Sequence, residues 1–136
     1  LSGKHIAVIG RSNIVGRPIS ILTSLKLKNA NGTTTLCHSR TPKISSFTKI
    51  ADVVIVALGV PGFLTGNMIK EGSIIIDVGI NRVDDDSEKG YKLVGDIKWD
   101  EINGKASAAT PVPGGVGPMT IAMLVENTIE AAERIK

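Results

Sequence analysis

Short apolar runs of strand length recur along this chain, and segments of helical character separate them. The runs are His5–Ile9, closed by Gly10; Thr33–Cys37, opened by the turn Asn31–Gly32; Val53–Leu58, closed by Gly59; and Ser73–Val78, closed by Gly79. A weaker fifth run, Ala106–Ala109, stands before Thr110 and Pro111. Between them, Gly16–Leu27 places Pro18 for a first helical turn and Ile19, Leu22 and Leu25 on one side. Ser45–Ile50, Asn67–Lys70 and Asp96–Ile102 are short helical candidates, the last with Asp96 as its N-cap. Pro118–Lys136 has the clearest helical pattern. Strands that alternate with helices pair in parallel through right-handed crossovers, so the pattern predicts an α/β, doubly wound sheet. In such a sheet ligands bind beyond the carboxyl ends of the strands, which directs attention to residues 10–16, 38–42, 58–66, 79–82 and 110–117.

Composition agrees. With 136 residues the chain suits one domain, and with aromatics at 3% its core must come from Val, Ile, Leu and Ala. The net charge of +3 is scattered rather than blocked, which argues against a nucleic-acid surface. One cysteine, Cys37, permits no internal disulfide, and no metal-ligand spacing is present, as expected of a cytoplasmic protein. No apolar run has transmembrane length. A chain that starts at Leu1 is expected to be a fragment or a processed product.

The segment Gly10–Gly16 follows a strand and precedes a helix, where backbone N–H groups suit a pyrophosphate. It does not meet Gly-x-Gly-x-x-Gly, since Ser12 and Val15 hold the second and third glycine positions. A Walker loop fits worse: five residues separate the glycines, and Arg17 and Pro18 stand where Lys and Ser/Thr belong. A tight turn with no ligand is the alternative. The second strand ends in Cys37-His38-Ser39-Arg40, without the carboxylate that would bind ribose hydroxyls. Ser39 and Arg40, with Arg11 from the first loop, suit a 2′-phosphate and so NADP over NAD; a solvated polar turn is the other possibility. Ser39 lies 29 positions after Gly10, against roughly 20 in the usual fingerprint, which assigns extra chain to the region 26–32. His38 is expected to be a turn residue or to lie beside adenine, and Cys37 to be a small buried hydrophobe. Asp84-Asp85-Asp86 and Ser87-Glu88-Lys89-Gly90 read as a polar hairpin turn, and Trp99 as a packing residue.

The loop Thr110-Pro111-Val112-Pro113-Gly114-Gly115-Val116-Gly117-Pro118-Met119-Thr120 sets two restricting prolines before three glycines, at the start of a helix. Its 113–120 run resembles the signature of the bifunctional methylenetetrahydrofolate dehydrogenase/methenyltetrahydrofolate cyclohydrolase family. Gly10-Arg11-Ser12 with Ile14-Val15-Gly16 and Pro18, Cys37-His38-Ser39, Asp77-Val78-Gly79-Ile80-Asn81 and Val94-Gly95-Asp96 match in the same order. The resemblance covers essentially all of residues 1–136 but only the second of that family's two domains.

The resemblance implies a Rossmann-like, doubly wound, mostly parallel sheet with helices on both faces. It implies that Gly10, Arg11 and Ser12 meet the cofactor phosphates and that Ser39, with Arg11, holds the 2′-phosphate of NADP. Ile80 and Thr120 are expected at the nicotinamide end, and Pro113, Gly114 and Gly117 in the cleft where folate meets it. The implied reaction is oxidation of 5,10-methylenetetrahydrofolate followed by a cyclohydrolase step, in a homodimer. The family's catalytic lysine belongs to a Tyr-x-x-x-Lys motif, which is absent: Tyr91 is followed four residues on by Gly95. No catalytic side chain is therefore expected here, and the apolar surplus of 118–136 is expected to face a further domain. Two alternatives differ in class or family: a non-enzymatic NADP-binding module, and another α/β dehydrogenase domain such as one resembling shikimate dehydrogenase. The 113–120 run argues against the latter.

Overall fold

Successive residues of a strand face opposite sides of a sheet, and both sides of this one are covered. Ile6, Val8, Val53 and Ile55 pack on one side with Ile19; Ala7, Ile9, Val54, Val56 and Ile75 pack on the other with Ile102 and Ile44. The computed structural model describes residues 1–135. Its main sheet holds β1 (His5–Ile9), β2 (Thr33–Cys37), β3 (Val53–Val56) and β4 (Ile74–Asp77). A hairpin of β5 (Asn81–Asp84) and β6 (Tyr91–Val94) follows, and β7 (Ala108–Ala109) returns to the main sheet. The order is β2-β1-β3-β4-β7, all neighbours parallel. Helix α1 (Gly16–Ser24) supplies Ile19 to one face, while α2 (Ser45–Thr48) and α3 (Trp99–Ile102) lie with the other cluster. The doubly wound, Rossmann-like expectation is met, helices on both faces included.

The order reverses at β1: the chain runs from β1 outward to β2, then returns to β3 on the far side. The crevice between the carboxyl ends of β1 and β3 is thus the topological switch point, where such sheets bind ligands.

Several boundaries differ from expectation. β3, β4 and β7 are shorter than their apolar runs, because Leu58 and Val78 belong to loops and Ala106 joins the core from outside a strand. Helix α1 stops at Ser24, and the surplus before β2 is a hydrogen-bonded turn in which Ala30 N–H donates to Leu27 and Asn31 N–H to Leu25. Residues 66–68 form a single 3-10 turn where 67–70 was expected to be helical. Strands β5 and β6 flank the acidic turn that the sequence marked only as a polar hairpin. The last helix, α4 (Val116–Arg134), begins two residues before Pro118. Pro118 still sits in the first turn, where its missing N–H leaves no gap in the helix. No residue of α4 is buried, and Met119, Ile121, Leu124, Val125 and Ile129 are all exposed.

At the opposite edge of the sheet, Asp52 fixes the start of β1. Its carboxylate meets Lys70 Nζ at 2.7 Å and accepts the His5 N–H at 3.0 Å. The Lys70 hydrogen bond, then that of His5, hold its pKa down at about 2 against an ordinary 3.8. A carboxyl with a lowered folded-state pKa stabilises the fold above its unfolded value and loses that effect as pH falls through the folded one. Urea midpoints of the native chain and Asp52→Asn are therefore expected to differ by a constant amount above pH 5 or so and to converge as pH falls from 3.8 toward about 2. A difference that widened on acidification would contradict the assignment.

Candidate functional site

The first loop is built by two glycines that do different work. Gly10 has φ +113°, and a Cβ there would overlap the carbonyl oxygen of Ala57 at the end of β3. A Cβ at Gly16 would overlap the Gly10 carbonyl oxygen, so Gly16 lets the start of α1 press against the strand end. Gly16 thus performs the close helix–strand packing that the third glycine of the usual fingerprint performs, one position later. The Ser12 hydroxyl accepts hydrogen bonds from Val15 N–H at 3.1 Å and Gly16 N–H at 3.4 Å, capping the turn. The backbone N–H groups of residues 11–14 make no hydrogen bond among the described residues.

The second loop leaves the neighbouring strand at the same level. Ile9 pairs in register with Cys37, and Gly10 N–H donates to the Cys37 carbonyl at 2.9 Å. Arg11, Ser12, Ser39 and Arg40 are all exposed on these two loops. Neither guanidinium pairs with a carboxylate among the described residues. His38 is a turn residue: its Nδ1 accepts the Arg40 N–H at 3.1 Å, and its own N–H donates to the Thr41 hydroxyl at 2.9 Å. Cys37 is buried, which pushes its thiol pKa up.

A second feature lies past β4. Ile80, Pro113, Gly114, Gly117 and Thr120 line one cavity of about 420 Å³, with Val78, Leu93 and Ile121. Ile80 and Thr120 stand forty positions apart in the sequence, and the fold brings them together because β4 and β7 are neighbours. Ile80 is 65% exposed into this region. The Val112–Pro113 peptide in its wall is cis. A larger hollow of about 760 Å³ lies against Pro61, Lys98 and Trp99 and holds none of the nine expected site residues. Trp99 stands at its lip, 40% exposed, and is not a core residue.

Sequence reasoning misplaced Asp96. It is not the cap of α3, whose first residue is Trp99; it is fully buried, and its carboxylate accepts N–H bonds from Leu58, Gly59 and Val60 at 2.6–2.9 Å. Asp77 is its buried neighbour, accepting from Gly79, Asp96 and Ile97 N–H at 2.9–3.1 Å. Burial pushes the Asp77 carboxyl pKa up; its three N–H partners oppose the rise and the Asp96 charge adds to it. Their Asp-x-Gly and Gly-Asp contexts were visible, but not the burial.

The whole of residues 1–136 matches the model of the tetrahydrofolate dehydrogenase/cyclohydrolase NAD(P)-binding domain. The chain belongs to this family. A bifunctional FolD protein of Chlorobium chlorochromatii is 58% identical over 134 residues, 98% of this chain and 45% of the relative. The crystal structure of bifunctional FolD from Campylobacter jejuni superposes with a TM-score of 0.88 at 49% identity, covering 99% of this chain and 45% of that one. A Trypanosoma brucei FolD, solved with NADP cofactor and an inhibitor, gives 0.87 at 42% identity, covering 98% of this chain and 44% of its own length. This member of the dehydrogenase/cyclohydrolase family therefore spans a little under half the length of the relatives it matches. No helix among the described residues is long and apolar enough to cross a membrane.

Proposed function

We propose that this chain binds NADP along the carboxyl edge of its sheet, as the cofactor half of an enzyme that oxidises 5,10-methylenetetrahydrofolate and hydrolyses the methenyl product to 10-formyltetrahydrofolate. The observation that carries the reading is the meeting of Ile80 with residues 113–118 and Thr120 around one apolar cavity, on a sheet whose switch point is built by Gly10. The residues fit the cofactor. Gly10 and Gly16 bring backbone close to a pyrophosphate, and the N–H groups of residues 11–14 have no competing partner among the described residues. Arg11, Ser12 and Ser39 take the phosphates, and the guanidiniums of Arg11 and Arg40 favour a 2′-phosphate. Ile80 and Thr120 bound the nicotinamide end, and Pro113, Gly114 and Gly117 form the wall that folate meets. Bound NADP supplies the hydride acceptor. This chain's residues bind, orient and exclude water; no catalytic side chain is assigned to them.

The curated relatives are more than twice as long, and Tyr91 with Gly95 does not supply Tyr-x-x-x-Lys. Residues 1–136 are accordingly assigned as one NADP-binding domain, and the exposed apolar face of α4 to packing against the folate domain. A cytoplasmic homodimer belongs to the same reading.

Calorimetric titration with NADP and NAD tests it. NADP is expected to bind more tightly, and Arg11→Ala to weaken NADP by about 1–3 kcal/mol more than NAD. Equal losses for both would remove Arg11 from the 2′-phosphate; no binding of either would remove the cofactor.

A further inference from the structure

Asp77 and Asp96 are the two buried carboxylates among the described residues, 1% and 0% exposed. Burying a carboxylate is costly unless hydrogen bonds satisfy it, and here they do so on both. The arrangement of those bonds is not that of a core support alone. Gly79 N–H donates to Asp77 Oδ1 at 2.9 Å, and Asn81 Nδ2 donates to Asp96 Oδ1 at 2.9 Å. Ile80 lies between these two anchors, so the residue that projects into the cavity is held from each side by one buried acid. Asp96 also grips Leu58, Gly59 and Val60, the loop leaving β3 beside the switch point. Asp77 reaches the opposite wall through its backbone, whose N–H donates to the Thr110 hydroxyl at 2.7 Å, one residue before Pro111. Two glycines make room for the acids: a Cβ at Gly79 would overlap the Asp96 carboxylate, and one at Gly95 the Asp77 carboxylate.

We propose that Asp77 and Asp96 are positioning residues, which hold Ile80 where the nicotinamide end of the cofactor requires it. Asp77 also borders the cavity and Asp96 does not; both act through the N–H groups and the Asn81 amide that they hold. No hydrogen bond of either carboxylate reaches the loops after β1 and β2, which carry Arg11, Ser12, Ser39 and Arg40. A rigid wall shaped in advance lowers the ordering cost of binding at the nicotinamide end alone.

This inference rests on the proposed NADP site, and the test separates the two. The chain is titrated with NADP and with adenosine 2′,5′-bisphosphate, which carries the adenosine half and its 2′-phosphate but no nicotinamide. Asp96→Asn puts an amide donor against N–H groups, and is expected to weaken NADP about tenfold while changing the bisphosphate less than about twofold. Asn81→Ala, which leaves the backbone bonds of Asp96 in place, is expected to give the same selective loss at about threefold, and decides the matter if Asp96→Asn fails to fold by near-UV circular dichroism. If the native chain binds both compounds and the variants weaken both alike, or neither, positioning is overturned and the cofactor site stands. If the native chain binds neither, the cofactor site is overturned as well.

Discussion

Gly10→Ala is expected to destabilise the fold by about 3–5 kcal/mol and to eliminate measurable NADP binding. Two costs combine. The backbone at φ +113° is one that an L side chain seldom adopts, about 1–3 kcal/mol. The added methyl also overlaps the Ala57 carbonyl oxygen, and main chain at a strand end cannot turn aside as a side chain can. Relief would require β1 and β3 to part at Ile9 and Val56, the last pair of their ladder. The same movement would open the switch-point crevice, so stability and binding are expected to fall together. Gly90→Ala is the control: φ is +67° but nothing lies within 4 Å of the new Cβ, and the cost is expected to stay near 1 kcal/mol. Urea midpoints for the two variants separate clash from conformational strain. Similar losses in both would show that the Ala57 contact does not govern.

What the sequence made legible follows from where each signal resides. β1 and β2 are read to the residue because their ends coincide with glycine, with Asn31–Gly32 and with a polar turn. β3 and β4 are read too long because Leu58 and Val78 are apolar for the sake of the core and the cavity, beyond the last paired residue. The hairpin strands β5 and β6 carry Arg82, Asp84 and Lys92 on exposed positions and a half-buried Asn81, so they show no apolar run of strand length. For the site, local chemistry indicated Gly10, Arg11, Ser12 and Ser39, which lie on loops beside their own strands. The loops at 79–82 and 110–120 were marked by their places after strands and by the Pro/Gly pattern, but the nicotinamide and folate roles of Ile80 and 113–120 came from resemblance; their common cavity depends on β4 and β7 pairing, which no local pattern states. Asp96 was misread for the same reason: an aspartate three residues before a helix has the look of a cap, while its partners are 36–38 residues away.

Asp77→Ala is expected to cost about 4 kcal/mol, the other large effect, because it leaves the N–H groups of Gly79, Asp96 and Ile97 buried without an acceptor. Asp77→Asn keeps one oxygen and is expected to cost less. The pH dependence distinguishes this aspartate from Asp52, and the sign is opposite. Asp77 has its folded-state pKa raised by burial, so the native state holds its proton more tightly than the unfolded chain does. Its contribution is therefore present below the unfolded value and declines as pH rises through the raised one. Asp52, with its pKa lowered by Lys70, contributes above 3.8 and loses its contribution toward about 2. Urea denaturation across pH, with Asp77→Asn and Asp52→Asn as references, is expected to show native stability falling relative to the first and rising relative to the second as the solution leaves acid. Parallel profiles would mean that the Asp77 carboxylate is stabilised by its N–H donors more than burial penalises it.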